Sequence, residues 1–332
     1  ACVIANAIFG AISGSGPATT AAVGSMCIPF MVEMGYEKRW SAGLIAVAGG
    51  LGVIIPPSIP FVLYSLATGV STGDLFLAGV IPGILIGLFM MAYAVIFCIT
   101  KGEDKQRIRA KVSELRGNGF LKLFADSFFA LLCPIIVLGG IYSGIFTPTE
   151  AAAVSVVYSV IVSIFVYKDM DWKSLYETLV GAAVLNGATS FLLGYSTVFS
   201  TFMTFEQVPQ AITTFLSNVS DNPAVVLLVI NAILLVIGCF LDTVPAIIIM
   251  APMLLPTLQT FGINPIHFAV VMAVNLAFGL CTPPYGCNLF VGAAVAKIKM
   301  ESMFKWIVPF FLVSIVLLMI LTYIPSLSLM FV

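Results

Sequence analysis

The chain has 332 residues, of which 61% are hydrophobic and 9% are charged. Soluble domains carry roughly 25% charged residues, so this composition excludes an ordinary soluble protein. The net charge of −1 gives no information about partners. The seven cysteines contain no CxxC pair, so we interpret them as reduced packing residues.

Several apolar stretches are long enough to cross about 30 Å of hydrocarbon as helices. The predicted spans are the runs at 76–99, 124–146, 150–167, 179–203 and 306–325. A transmembrane β-barrel would alternate apolar and polar residues over segments of roughly ten, and these runs are continuous. The sequence therefore predicts an all-α polytopic membrane protein.

Two further apolar stretches, 41–68 and 266–296, each contain a Pro-Pro pair, in "LGVIIPPSIP" and "FGLCTPPYGC". Proline removes a backbone donor and clashes with the preceding turn, so each pair predicts a broken helix. A hairpin is predicted before each broken helix, with tips at 11–20 and 237–246. We expect each hairpin to be re-entrant, because the stretch from its tip to Pro29 or Pro256 is too short to span.

The chain also contains an internal repeat. An offset of 227 residues aligns the two Pro-Pro pairs without a gap, together with Pro29 and Pro256, Gly35 and Gly262, Gly52 and Gly279, and Pro82 and Pro309. Two copies of one unit follow from this agreement. The second copy has elements from 127 to 222 before its hairpin, so we expect about 100 residues of the first copy to precede residue 1.

Positive charge predicts the orientation of the copies. The 14 Lys and Arg residues cluster at 38–39, 101–122, 168–173 and 297–305. Threading the predicted spans places every cluster on one side, which the positive-inside rule makes cytoplasmic, and places the C-terminus in the periplasm. "YEKRW" is then inside and its counterpart "INPIH" outside, so the copies are inverted. Inverted repeats with broken helices are typical of secondary transporters, whose binding site lies at the breaks.

Oxygen atoms near the tips and breaks suggest two sodium sites, because hard cations prefer oxygen ligands. The first, uncharged site is predicted at Ser13, Ser15, Gly52, Val53 and Pro56. The second is predicted at Gly238, Asp242, Gly279, Thr282 and Pro283, where Asp242 is the one ionisable residue deep in the membrane. A carboxylate there costs about 2.5–3.5 kcal/mol on insertion scales and needs a cation or proton as partner. Alternatively, the residues at the tips are small only because the helices pack closely there, and Asp242 caps the returning helix.

Other polar residues are candidates to face the substrate. They are Thr19, Ser58, Asn186, Thr189, Tyr285 and Asn288. An interhelical hydrogen bond is the alternative for each. His267, the only histidine, is expected near the outer membrane interface, and no nucleophile–base pair for an intramembrane enzyme is evident. Glu150 is expected in the first turn of a helix capped by Thr149, and 101–122 is expected to lie on the cytoplasmic leaflet as a connector.

Taken in order, several motifs resemble the large membrane subunit of tripartite ATP-independent periplasmic (TRAP) transporters. They include "FGAISGSGPATTAAVGSMCIPFMVEMGY", "GGIYSGIFTPTEAAAV", "FLDTVPAIIIMAPMLLP" and "GLCTPPYGCNLFV". The resemblance implies a sodium-coupled importer in the bacterial inner membrane, with no other cofactor. It also implies an elevator mechanism, a small four-helix membrane subunit and a periplasmic substrate-binding protein as partners.

The resemblance also suggests a domain division and a substrate class. The transport domain is expected from 1–72 and 179–305, and the scaffold from 73–178 and 306–332. The tip "SGSGPATT" looks more like the C4-dicarboxylate branch than the sialic-acid branch, although a sialic-acid importer remains an alternative. A stand-alone sodium/dicarboxylate carrier that needs no binding protein is the other alternative. A channel would need a continuous polar pore, and broken helices in inverted repeats favour alternating access.

Overall fold

The computed structural model of the chain describes residues 1–101, 108 and 120–332. Every regular element in these ranges is helical. Six of the helices are long and apolar enough to cross a membrane, or seven spans result if one bent pair counts as a single span. The predicted all-α polytopic membrane fold is therefore confirmed.

The described residues form two compact units, Ala1–Ile108 with Phe199–Val332, and Arg109–Val198. The first unit holds α1 (Cys2–Ser13), α2 (Gly16–Glu33), α3 (Lys38–Gly49), α4 (Leu51–Ile54), α5 (Ile59–Thr68) and α6 (Thr72–Lys101). The second unit holds α7 (Phe120–Tyr142), α8 (Pro148–Ile161), a π-helical turn (Val162–Tyr167) and most of α9 (Trp172–Phe205). The first unit then continues with α10 (Val208–Val219), α11 (Pro223–Phe240), α12 (Thr243–Thr260), α13 (Pro265–Gly279), α14 (Cys287–Ala296), a 3₁₀ turn (Met300–Met303), α15 (Phe304–Tyr323) and α16 (Ser326–Leu329).

Helix boundaries agree with the internal repeat. Shifted by the 227-residue offset, α2 coincides with α12 from its first residue to its last, and α1 ends where α11 ends. The broken helix of α3, α4 and α5 corresponds to α13 and α14, with α3 and α13 beginning at equivalent residues and α5 and α14 differing by one residue. The N-caps of the returning hairpin helices, Ser15 and Asp242, occupy equivalent positions.

The returning helices of both hairpins continue beyond the prolines from which the sequence measured their length. Pro29 and Pro256 lie inside α2 and α12, each of which has 18 residues, or about 27 Å of helix. Membrane helices tolerate proline because neighbouring groups and small local adjustments satisfy the backbone groups that it frees. The depth that each tip reaches in the bilayer stays a prediction.

The two repeats exchange the second halves of their broken helices. In the first unit, α5 packs on α12 of the second repeat, and α14 packs on α2 and α3 of the first. At the centre, every residue of α13 from His267 to Gly279 is buried. Because of the exchange, each hairpin lies against chain from both repeats.

The predicted division into transport domain and scaffold stays a prediction. Residues 73–101 and 306–332 belong to the same compact unit as both hairpins. Most of the predicted basic connector at 101–122 lies outside the described residues.

Candidate functional site

Both predicted helix breaks are present. The segments Lys38–Ile54 and Ile59–Thr68 meet at an angle of 40° across the first break. At the second break, α13 ends at Gly279 and α14 begins at Cys287. The Pro56–Pro57 and Pro283–Pro284 peptide bonds are both cis.

Each hairpin touches its break backbone to backbone at a pair of glycines. A Cβ atom on Gly10 would lie 2.6 Å from Cα of Gly52, and one on Gly279 would lie 2.5 Å from the carbonyl carbon of Gly238. Real Cβ atoms essentially never come so close to backbone atoms. Close packing therefore explains the small residues at these positions, as the packing alternative expected, and it also brings backbone carbonyls of tip and break together.

At the first tip, the predicted oxygen atoms converge. The hydroxyls of Ser13 and Thr19 are 2.7 Å apart, and Thr19 Oγ1 donates to the carbonyl of Ser15 at 2.7 Å. A Cβ on Gly52 would lie 2.5 Å from Thr19 Oγ1, so this cluster faces the break. Across the break, the Ser58 hydroxyl donates to the carbonyl of Val53. Pro56 is buried in the same break.

Two buried oxygen atoms beside this tip have no hydrogen-bond partner. Asn288 donates from Nδ2 to the carbonyl of Ala46 at 3.2 Å, but its Oδ1 is unpaired and would lie 3.1 Å from a Cβ on Gly16. Thr20 Oγ1 is also unpaired, against Gly49. An unsatisfied buried polar group costs about 1–3 kcal/mol. Neutral oxygens in this state fit a hard cation such as sodium, or a donor from a substrate.

Thr20 is one of the hydroxyls at the first tip that the sequence offers as neutral oxygens, but it was assigned to neither predicted site. Its signal is a second hydroxyl that directly follows Thr19 at the start of the returning helix. Thr19, Ser58 and Asn288 are buried in this structure, so they lie in the protein interior and not on an open surface.

At the second tip, Asp242 is the N-cap of α12. Its Oδ1 accepts from the backbone N–H of Thr243 at 2.7 Å and from the Thr243 hydroxyl at 3.2 Å. Asp242 is an exposed residue of this chain. The capping alternative is therefore realised, because the first turn of a helix offers unpaired N–H groups and the positive end of the dipole. A role for Asp242 in binding sodium stays a prediction.

The thiol of Cys239 forms hydrogen bonds with backbone carbonyls of the second break. It donates to the carbonyls of Thr282 at 3.1 Å and Pro283 at 3.2 Å, and Gly286 N–H donates back to the Cys239 carbonyl at 3.2 Å. The Thr282 hydroxyl donates to the carbonyl of Phe278 at 2.7 Å. Thr282 and Pro283 are two of the residues that the sequence predicted as sodium ligands. The sequence suggested only a packing role for this cysteine.

The remaining substrate-facing candidates are Tyr285 in the first unit and Asn186 and Thr189 in the second. Tyr285 is about half exposed beside the second break, with its ring 4.9 Å from that of Phe290. Asn186 is exposed and Thr189 is partly buried, and both lie on α9 in the second unit. His267, expected near the membrane interface, is 2% exposed and hydrogen-bonded inside the first unit.

The chain matches the family described as the DctM component of the tripartite ATP-independent periplasmic transporter over residues 1–327. It is 42% identical over 323 residues to the isethionate TRAP transporter permease protein DctMQ of Oleidesulfovibrio alaskensis, covering 97% of this chain and 50% of that protein. It is 42% identical over 329 residues to the C4-dicarboxylate TRAP transporter large permease protein DctM of Pseudomonas aeruginosa, covering 99% and 76%. It is 34% identical over 325 residues to the 2,3-diketo-L-gulonate TRAP transporter large permease protein YiaN of Escherichia coli, covering 98% and 75%.

The chain thus spans about half the length of the first of these relatives. All three are named as transporter permeases, which are not enzymes. The resemblance seen in the motifs is confirmed over nearly the whole sequence: this multi-pass membrane protein belongs to the DctM family, the large permease component of TRAP transporters.

Proposed function

We propose that this chain carries the ion and substrate sites of a sodium-coupled importer of a small organic acid in the bacterial inner membrane. The observation that carries the proposal is the pair of unpaired buried oxygens, Thr20 Oγ1 and Asn288 Oδ1, at a hairpin tip packed on a broken helix. A cation or a bound substrate would satisfy them. Elevator-type alternating access accounts for two such tips in inverted repeats.

The substrate is proposed to be an organic anion, with a C4-dicarboxylate as first choice. The relatives are named for isethionate, a C4-dicarboxylate and 2,3-diketo-L-gulonate, which are all anions of small organic acids. Four helices, α2, α5, α12 and α14, begin at the tips and breaks. Their N-terminal dipoles favour negative charge there, as does bound sodium. Sites that share walls would couple ion and substrate binding.

The partners and the sidedness of the chain belong to the same proposal. A small four-helix membrane subunit would complete the membrane part, and a periplasmic binding protein would deliver the substrate. The Lys and Arg loops would face the cytoplasm and the C-terminus the periplasm. A sialic-acid importer and a stand-alone sodium/dicarboxylate carrier are the alternatives.

The test is uptake of labelled succinate, isethionate and sialic acid into proteoliposomes that hold the full-length subunit, the small membrane subunit and the binding protein. Asp242→Asn is the informative variant, because asparagine caps a helix as well as aspartate but lacks the charge. We expect uptake to need a sodium gradient and to fall by about tenfold or more in this variant, as metal sites do when a supporting contact is lost. Asp221→Asn, at an exposed loop position, is the matched control.

Normal transport by a folded Asp242→Asn complex would mean that Asp242 is only a cap, and the second sodium site would then be rejected. Uptake that needs neither the binding protein nor the small subunit would favour the stand-alone carrier. Uptake that does not depend on the sodium gradient would reject sodium coupling.

A further inference from the structure

A buried series of hydrogen bonds joins four helices next to the second break; we name its members, Asn231, His267, Asn275, Thr322 and Ser328, the polar chain. Asn275 Nδ2 donates to both the carbonyl and Oδ1 of Asn231 at 2.9 Å. Asn231 Nδ2 donates to Thr322 Oγ1 at 2.9 Å. His267 lies 3.1 Å from the Thr322 carbonyl through Nε2 and 2.8 Å from Ser328 Oγ through Nδ1. All five side chains are almost completely buried.

The bonding partners determine the tautomer of His267. A backbone carbonyl only accepts, so Nε2 carries the proton and donates to Thr322. Nδ1 then accepts from the hydroxyl of Ser328. The neutral imidazole thus ties α13 to both C-terminal helices, α15 and α16.

The polar chain connects α11 with α13 near the second break. Asn275 precedes Gly279 by about one helical turn, and Asn231 precedes Gly238 by about two turns. These are the two glycines whose backbones meet at the second break. The Asn231–Asn275 bonds therefore connect the same two helices on the same side as the contact between tip and break. Oδ1 of Asn275 is buried and has no hydrogen-bond partner, so the polar chain ends at an unpaired acceptor.

At four of the five positions equivalent to the polar chain, the first repeat carries apolar or aromatic side chains; the fifth, equivalent to Ser328, is Lys101. The positions equivalent to Asn231, His267, Asn275 and Thr322 are Ile4, Trp40, Ala48 and Val95. Trp40 stacks on Phe97 with ring centroids 4.3 Å apart. A repeat can therefore fold with apolar side chains here, and buried polar groups cost free energy unless they are fully paired. In the part of the chain that the structure describes, this set of hydrogen bonds lies beside the break whose tip carries the carboxylate of Asp242.

We propose that the polar chain is a positioning device for the second ion site: by anchoring α11 and α13 to α15 and α16, it sets the affinity for sodium at that break. The inference rests on the proposed sodium-coupled transport. Directional hydrogen bonds suit this role because they select one register between helices, whereas apolar contacts permit small shifts. None of the five residues is proposed to touch sodium, so their effect acts through the Gly238–Gly279 contact.

Thr322→Val in the full-length subunit, assembled with its partners, tests the proposal. The variant removes the acceptor of Asn231 but keeps the carbonyl that His267 uses. We expect the sodium concentration for half-maximal uptake to rise about tenfold, as in metal sites that lose a supporting hydrogen bond, and Thr322→Ser to restore it. The rise in the Tm of the purified complex on adding sodium in place of choline should shrink in parallel. Thr68→Val is the matched control, since the Thr68 hydroxyl bonds to the carbonyl one turn before it, outside the polar chain.

If Thr322→Val alone fails to fold, the pair Asn231→Leu with Thr322→Val removes donor and acceptor together and so leaves no new unpaired group between them. A wild-type sodium response in either folded variant overturns the inference, and so does an equal loss in Thr68→Val. If neither the uptake nor the Tm of the wild-type complex depends on sodium, the proposed function is overturned and this inference with it. A sodium-dependent wild type with an unchanged variant overturns the inference alone.

Discussion

The glycine pairs at the breaks, Gly10 with Gly52 and Gly238 with Gly279, are the residues on which the candidate sites depend most directly. At both, the backbones of hairpin and broken helix approach more closely than a Cβ atom allows. The sequence suggested that three of these glycines offer carbonyl ligands. The structure adds a packing requirement that holds whether or not an ion binds.

Gly279→Ala should therefore destabilise the protein. Its Cβ would meet backbone atoms of Gly238 at 2.5 Å, which cannot rotate away, and overpacking of this kind costs about 1–3 kcal/mol. We expect a lower Tm for the purified complex in thermal unfolding. Gly181→Ala on α9 is the control, because nothing lies within 4 Å of its Cβ. That control should be neutral or slightly stabilising, since alanine favours helix over glycine by about 0.5–1 kcal/mol. Equal Tm values for the two variants would contradict the close contact.

Among the helices, the first broken helix packs at its N-terminal end through aromatic stacking. Trp40 stacks on Phe97 of α6, and Phe97 meets Trp306 of α15 edge to face at 5.8 Å. The Trp40 ring is buried, and its Nε1 has no partner. Ring contact, and not the indole N–H, is thus the stabilising feature at this position.

Trp40→Ala should lower the free energy of unfolding by about 3–5 kcal/mol, the usual range for deleting a buried aromatic side chain. Trp40→Phe should retain most of the stability, because it keeps a ring against Phe97 and removes the unpaired N–H. Thermal unfolding of the purified complex measures both. If Trp40→Phe lowers the stability as much as Trp40→Ala does, ring contact with Phe97 is not the stabilising feature at this position.

Helix α8 shows how turn chemistry decides the start of an element. The sequence suggested Thr149 as the cap, and this is wrong. Thr147 is the N-cap, in a capping box with Glu150, whose carboxylate accepts from the Thr147 N–H at 2.8 Å. Pro148 occupies the first helical position, where its missing N–H is harmless and its fixed φ is helical, so the cap falls one residue before it.

For the molecule as a whole, the inverted orientation of the repeats is the prediction with the widest consequences. Glu33 and Thr260 are the last residues of α2 and α12, both are exposed, and the repeat makes them equivalent. In inverted copies, equivalent positions face opposite sides of the membrane.

Cysteine labelling measures this directly. In a full-length subunit whose native cysteines are replaced, Glu33→Cys should react with a membrane-impermeant maleimide only from the cytoplasmic side. Thr260→Cys should react only from the periplasmic side. Labelling of both from one side would reject the inverted topology and the threading based on the Lys and Arg clusters.

The sequence by itself determined the class of this protein, its two breaks and its repeat. Each depends on a local property: the length of an apolar run, the donor that proline lacks, and the constant offset between copies. The helix bounds of α2 and α12 agree with that offset to the residue. Local patterns of this kind survive in any tertiary context, so they are readable without one.

Only the tertiary structure decided which atoms meet at the breaks. Asn288 reaches the carbonyl of Ala46 across 242 positions of the chain, and Cys239 takes the carbonyls of Thr282 and Pro283. These contacts arise because the two repeats exchange halves of their broken helices and because glycines let backbones touch. Residue spacing does not indicate that His267 is buried, and the hydroxyl of Thr20 is visible in the sequence without any sign that its oxygen is buried and unpaired. The chemistry of each break therefore depends on contacts between distant segments, which no local pattern records.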